Sequence, residues 1–150
     1  MASREIVIDA SGQVMGRLAS IVAKLLLLGW RVHVVNAEKM VLSGDPTMVV
    51  QAYKRTVLGV RSHHSHKWRP KRPRSPQRLF KYAVKGMLPK GNNRGREALS
   101  RLRVYVGVPR ELEGKPTVRF PDADASRLGR SFVELGRVAM ELGWRGVGER

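Results

Sequence analysis

Glu5-Ile-Val-Ile-Asp9, a turn at Ser11-Gly12, an apolar run from Val14 to Leu28, and Val32-His-Val-Val35 together decide the fold. The first stretch is a short β-branched run and reads as a strand. In the second, Val14, Leu18, Ile21, Val22, Leu25 and Leu28 recur at helical spacing, so one face of a helix is apolar. Its last turn, Leu25 to Leu28, is apolar nearly all round, which predicts cover on more than one side. Gly29 is a natural stop, and Val32 to Val35 reads as a second strand. Strand, helix and strand with short links make a βαβ unit, which implies parallel pairing and a right-handed crossover. The chain is therefore expected to be α/β.

Downstream, Asp45-Pro46 supplies an N-cap with proline at the first helical position, and Met48, Val49, Ala52 and Tyr53 then form the expected apolar face. From Arg61 to Gln77 the periodicity fails. Three prolines and a run of basic residues predict an extended loop over 61–77 that packs no core alone. Ser75-Pro76 repeats the cap signature and opens a helix through Leu79, Phe80, Ala83 and Val84, closed by Gly86. Asn93 to Leu102 reads as another helix, Arg103 to Val106 as a strand, and Thr117 to Phe120 as one more short strand. Ser131-Phe-Val-Glu134 fits a capping box. The helix expected after it carries Phe132, Leu135, Val138, Ala139 and Leu142 on one face and stops at Gly143. Residues 144–150 read as a loose tail. No internal repeat is present, and 150 residues are one domain's worth, spanning 1–150.

Charge is distributed very unevenly. Of the net +17, the segment from Lys54 to Arg103 carries +15, with sixteen basic residues and Glu97 as its one acid. The flanks are nearly balanced, at five basic to four acidic residues before it and eight to seven after it. A block of one sign repels itself unless a polyanion neutralises it, and ordinary soluble surfaces mix both signs. Nucleic acid is the obvious polyanion. Hydrophobic content of 42% is enough for a real core. There is no run of 18 apolar residues, so no membrane span is expected, and Met1-Ala-Ser-Arg-Glu5 lacks the order of a signal peptide. Cysteine is absent, which excludes disulfides and thiolate metal sites.

Three motifs invite sharper chemistry. The turn from Asp9 to Arg17 follows a strand and opens a helix, where α/β folds bind phosphates. It has Gly-x-x-x-Gly rather than Gly-x-Gly-x-x-Gly, and no Walker pattern occurs anywhere. The plainer expectation is that Gly12 makes the turn and Gly16 lets the helix pack on the sheet, leaving Arg17 able to meet an RNA phosphate. His63-His64-Ser-His66 lacks nearby carboxylates and sits among cations, which argues against a metal. Beside Trp68, these histidines suit base stacking or phosphate contact. No catalytic constellation is visible. Asp9 and Glu38 are candidates by default, and Asp9 at a strand end reads as a turn former or salt-bridge partner. Two rivals to an RNA-binding reading are a nucleotide-dependent enzyme on the βαβ unit and a DNA-compacting protein.

Four stretches in order carry a resemblance. They are Ile8-Asp-Ala with Met15-Gly-Arg-Leu-Ala-Ser20; Val35-Asn-Ala-Glu-Lys39 with Ser43-Gly44; Ala83-Val-Lys-Gly-Met-Leu-Pro-Lys90 with Gly95-Arg96; and Leu102-Arg-Val-Tyr-Val-Gly107. The chain resembles the L-thirteen family of large-subunit ribosomal proteins. Val108-Pro-Arg-Glu-Leu112 departs from the bacterial pattern, and the region from Leu135 to Gly143 and Lys71-Arg-Pro73 look like the archaeal and eukaryotic branch. The resemblance implies a three-layer α/β/α domain around a mainly parallel four-stranded sheet, with a long basic loop extension. It implies binding to large-subunit rRNA beside neighbouring large-subunit proteins, in the cytoplasm, with no enzymatic activity, cofactor, membrane or small-molecule substrate. With the charge pattern, the expected RNA-binding residues are Arg17, Lys54, Arg55, Arg61, His63, His64, His66, Lys67, Trp68, Arg69, Lys71, Arg72, Arg74, Lys85, Lys90, Arg94 and Arg96.

Overall fold

The structure is a computed structural model that describes residues 4–57 and 73–146. Strand β1 (Glu5–Asp9) leads into helix α1 (Met15–Leu27) and strand β2 (Arg31–Val35). Strand β3 (Val41–Ser43) and helix α2 (Pro46–Val57) follow. After the undescribed segment come α3 (Pro76–Met87), α4 (Asn93–Ser100) and β4 (Leu102–Val104). Strand β5 (Phe132–Glu134) and helix α5 (Leu135–Glu141) complete the order.

The βαβ expectation holds. β1 and β2 pair in parallel from Glu5↔Arg31 to Asp9↔Val35, and β2 pairs in parallel with β4 from Val32↔Leu102 to Val34↔Val104. The described residues thus form a parallel sheet in the order β1-β2-β4. The expected strand at Thr117 to Phe120 is reduced to one parallel bridge, Val118 to Ile8. It is held by Asp9 N–H to the Val118 carbonyl (3.1 Å) and Val118 N–H to the Val7 carbonyl (2.9 Å).

Because side chains alternate along a strand, the sheet has two unlike faces. Ile8, Val32, Val34 and Leu102 enter the main core with Leu18, Val22 and Leu26 of α1, Phe80 and Val84 of α3, and Ala98 of α4. Val7 and Val35 form a smaller cluster with Leu112 and Tyr105. Beside that cluster, Glu5, Arg31, His33 and Arg103 line a shallow cleft. The His33 ring stacks on Tyr105 at 6.1 Å between centroids, with Nε2 at 3.4 Å from a Glu5 carboxylate oxygen.

Several sequence expectations are corrected. Ser131 to Glu134 is not a capping box: Phe132–Glu134 is a strand, paired antiparallel with β3 as Val41↔Glu134, Leu42↔Val133 and Ser43↔Phe132. Pairing satisfies the backbone groups that a cap would have served, and it leaves Phe132 46% exposed instead of on a helix face. Leu135, Val138, Ala139 and Leu142 do enter the core. On α2, Val49, Val50 and Tyr53 pack inward, whereas Met48 is 71% exposed and Ala52 is exposed. Leu28 is exposed because it caps α1, its N–H bonding the Lys24 and Leu25 carbonyls, just before the chain turns at Gly29 (φ +95°). Gly86 lies inside α3, which runs one residue further. Trp144, expected to begin the tail, packs against the core and donates its N–H to the Ala139 carbonyl.

Candidate nucleic-acid interface

The turn before α1 is closed by the chain itself. Gly12 makes it with φ +69°, as expected, but Gly16 is exposed with open space around it and packs on nothing. A strap from residue 118 to 125 covers the turn. Val14 donates to the Ala123 carbonyl, Ala125 N–H to the Gly12 carbonyl (2.9 Å), and Phe120 N–H to Oε1 of fully buried Gln13 (3.2 Å). Within the turn itself, the Gly12, Gln13 and Val14 N–H groups donate to the Lys39, Ala10 and Ala123 carbonyls. Arg17 reaches over the strap to the Asp122 carbonyl (3.2 Å).

Asp9 is the turn former and ion-pair partner that its position suggests. Its Oδ1 accepts from Ser11 N–H and from the Asn36 amide, each at 3.1 Å, and Arg119 lies 3.4 Å from Oδ2. Burial alone would raise the Asp9 pKa, but these donors and the Arg119 charge outweigh it and hold the carboxyl below its ordinary 3.8. Glu38 accepts the Gly107 N–H at 3.0 Å. Both acids are committed to backbone and neighbouring side chains.

The basic residues gather elsewhere, on α3 and α4. Ser75 caps α3 by accepting the Arg78 N–H (3.4 Å), with Pro76 next in sequence. Pro76, Leu79, Phe80 and Val84 are buried, so helical geometry leaves Arg78, Lys81, Tyr82 and Lys85 on the outer side. Buried Leu88 anchors the exit, and the chain then loops through Pro89, Lys90 and Gly91 (φ +77°). Asn92 caps α4, its side chain accepting the Gly95 N–H at 3.0 Å. Gly95 is buried, and a side chain there would collide with the Pro89 carbonyl. That close approach fixes the loop over the first turn of α4, and Arg94 and Arg96 point outward from it.

Two adjoining clefts result. One, of about 290 Å³, is lined by Lys85, Leu88, Lys90, Asn92, Gly95 and Arg96 among others. The second, of about 250 Å³, is lined by Pro73, Arg78, Lys81, Tyr82, Lys85 and Leu99. Lys85 and Leu99 line both, so the surface is continuous. Among the described residues, none of Arg78, Lys81, Lys85, Lys90, Arg94 or Arg96 forms an ion pair with a carboxylate.

The structure brings Lys85, Lys90, Arg94 and Arg96 together and leaves other expected residues apart. Lys54 of α2 pairs with Glu141 of α5 (3.2 Å), with Arg55 exposed next to it in sequence. Arg74 is exposed near Gly143. Arg61, His63, His64, His66, Lys67, Trp68, Arg69, Lys71 and Arg72 lie outside the described residues. Arg78, Lys81 and Tyr82 were not among the expected site residues. Their signal was present as the i, i+3, i+4 and i+7 spacing with Lys85, opposite the apolar face. No described helix is long and apolar enough to cross a membrane.

A profile of the ribosomal protein L13 family matches residues 3–111. The large ribosomal subunit protein uL13 of Aeropyrum pernix is 72% identical over 148 residues, covering 99% of this chain and 96% of that protein. The uL13 of Saccharolobus solfataricus is 42% identical over 141 residues, 94% of each chain. That of Archaeoglobus fulgidus is 46% identical over 143 residues, 94% of this chain and 89% of the relative.

Proposed function

Because the chain belongs to the ribosomal protein L13 family, in its archaeal type, we propose that it binds and stabilises large-subunit rRNA through the α3–α4 surface and the basic segment 61–77. Members of this family are structural components of the large ribosomal subunit in the cytoplasm rather than enzymes, and that is the role assigned here. The observation that carries the RNA reading is the set of six outward cations on α3, α4 and their connecting loop, none paired with a described acid. Two short helices docked on a common core hold them at fixed spacing. Such a surface neutralises backbone phosphates and reads the shape of folded RNA. Arginine adds a planar fork suited to bidentate phosphate contact.

The same reading makes residues 1–150 a single domain with a basic extension from residue 61 up to the start of α3 at Pro76, a tail after Trp144, and neighbouring large-subunit proteins as further partners. Arg17, Lys54, Arg55 and Arg74 contribute at its margins, and the histidines with Trp68 supply contacts from the extension. The Val118–Ile8 bridge supports a fourth strand beside β1, and Leu112 over Val7 and Val35 supports a layer on that face.

Sedimentation of native lysate through a gradient after a high-salt wash tests the assignment. The chain is expected to stay with the large subunit. Recovery at the top of the gradient at both low and high salt would overturn it.

A further inference from the structure

Resting on the rRNA-binding reading and extending it to a second place on the molecule, we infer that the open end of the sheet face opposite the main core holds backbone phosphate of the RNA. Alternation along the parallel strands puts Glu5, Arg31, His33 and Arg103 on the same face as Val7 and Val35. Leu112 packs over Val7 and Val35. At the strand starts that cover ends, and Glu5, Arg31 and Arg103 are exposed. Parallel sheets in α/β proteins are ordinarily covered on both faces. An open end of this kind is suited to a partner from outside the chain.

The cleft there, of about 290 Å³, is lined by Glu5, Arg31, His33, Ser100, Arg101 and Arg103. None of the six is an apolar aliphatic residue. A protein partner seats an apolar core in its interface, whereas nucleic-acid interfaces are more polar and far more positive. Three arginines stand here against one glutamate. Among the described residues none of the three is paired with a carboxylate, and the Glu5 carboxylate lies 3.4 Å from His33 Nε2 instead. Arg101 is held at the C-cap of α4, donating from Nη2 to the Leu26 carbonyl (2.6 Å). Arg103 reaches the Ser100 and Leu102 carbonyls through Nη1 alone, at 3.4 Å each. The rest of its planar fork, and that of exposed Arg31, can meet a phosphate in bidentate fashion. A base is the poorer fit, because the ring beside the cleft, Tyr105, is already stacked on His33. Helix α4 has eight residues, about 12 Å of rise, so one folded RNA can meet both Arg94 and Arg96 at its start and this cleft at its end.

The test is filter binding of full-length large-subunit rRNA by the intact chain at several salt concentrations, with Arg31→Ala and Arg103→Ala combined. The slope of log Kd against log salt is expected to fall by about 1.4, at about 0.7 for each phosphate left without its cation. Arg31→Lys with Arg103→Lys should keep the slope and weaken binding, because an ammonium keeps the charge and loses the fork. A measurement on the unaltered protein guards against a misfolded variant. Phenylglyoxal should modify Arg31 and Arg103 in the free chain and spare both in the complex with rRNA alone, as read by mass spectrometry of the peptides. Full modification in that complex would overturn the proposal. If the alanine pair leaves the slope unchanged while Lys85, Lys90 and Arg96 replaced together by alanine flatten it, the second contact is wrong and the α3–α4 surface stands. If neither set moves the slope, both fall. Protection in the native large subunit but not with rRNA alone would assign this face to a neighbouring protein instead.

Discussion

The carbonyl oxygen of Pro89 occupies the space that a side chain on Gly95 would need. A Cβ at Gly95 would approach that backbone oxygen to well under 3.0 Å, a distance real Cβ atoms do not show, and backbone cannot swing aside as a side-chain end can. The pair locks the Lys90 loop onto the first turn of α4. It thereby sets where Lys90, Arg94 and Arg96 stand relative to Lys85.

Gly95→Ala should therefore destabilise the protein by about 1–3 kcal/mol, the usual cost of overpacking. It should also weaken rRNA binding by displacing the loop. Gly86→Ala is the contrasting case, because Gly86 lies in α3 with nothing near its Cβ position and no positive φ. It should stabilise by about 0.5–1 kcal/mol. Urea denaturation of both variants checks the pair; equal midpoints would show that the contact is not rigid.

Asn36 adopts φ +58°, and its side-chain amide donates to Asp9 across the end of the sheet. Asn36→Ala should cost about 1–2 kcal/mol for the left-handed backbone and about 1 kcal/mol more for the missing hydrogen bond. Asn36→Gly keeps the backbone and removes only the bond, so its urea midpoint should fall between alanine and wild type.

Asp9 and Asp124 both have pKa values held below 3.8. For Asp124 the leading cause is the Ser126 N–H it accepts. A carboxyl with a depressed folded pKa contributes stability above its unfolded pKa and loses it as pH falls through the folded value. Unfolding free energy should thus decline below about pH 4. Asp9→Asn should lower stability at pH 7 and make that decline shallower, as denaturation across pH 2–7 would show. A decline as steep as wild type would mean that Asp9 is not a source of it.

Replacing Lys85, Lys90 and Arg96 together by alanine should leave the thermal midpoint close to wild type, since all three are exposed. The slope of log Kd against log salt for rRNA should fall by about 2, at about 0.7 for each single-strand phosphate left without its cation. An unchanged slope would remove these residues from the interface.

Much of this was legible locally. The spacing of Leu18 and Val22, the Ser75-Pro76 cap and the alternation of Val32 and Val34 each depend on neighbours within one or two turns of chain. They placed α1, α3 and β2 within a residue or two. Met48, Leu28 and Gly16 depart from the sequence expectation for one common reason: burial depends on what packs against a face, and apolar character or small size does not say that anything does. Phe132 failed in a related way. Its segment could cap a helix or pair with β3, and the partner 89 residues away in sequence settled it.

By itself, the sequence determined an α/β chain with a parallel βαβ start, a charge block of nearly one sign and its family, because periodicity, charge and motif order are properties of neighbouring residues. Only the tertiary structure decided which cations lie together. It closed the Gly12 turn under the 118–125 strap, paired Lys54 with Glu141, and brought α3 and α4 side by side through the Pro89–Gly95 contact. A charge's partners are set by distance in space, and that distance exists only once the core has docked the helices.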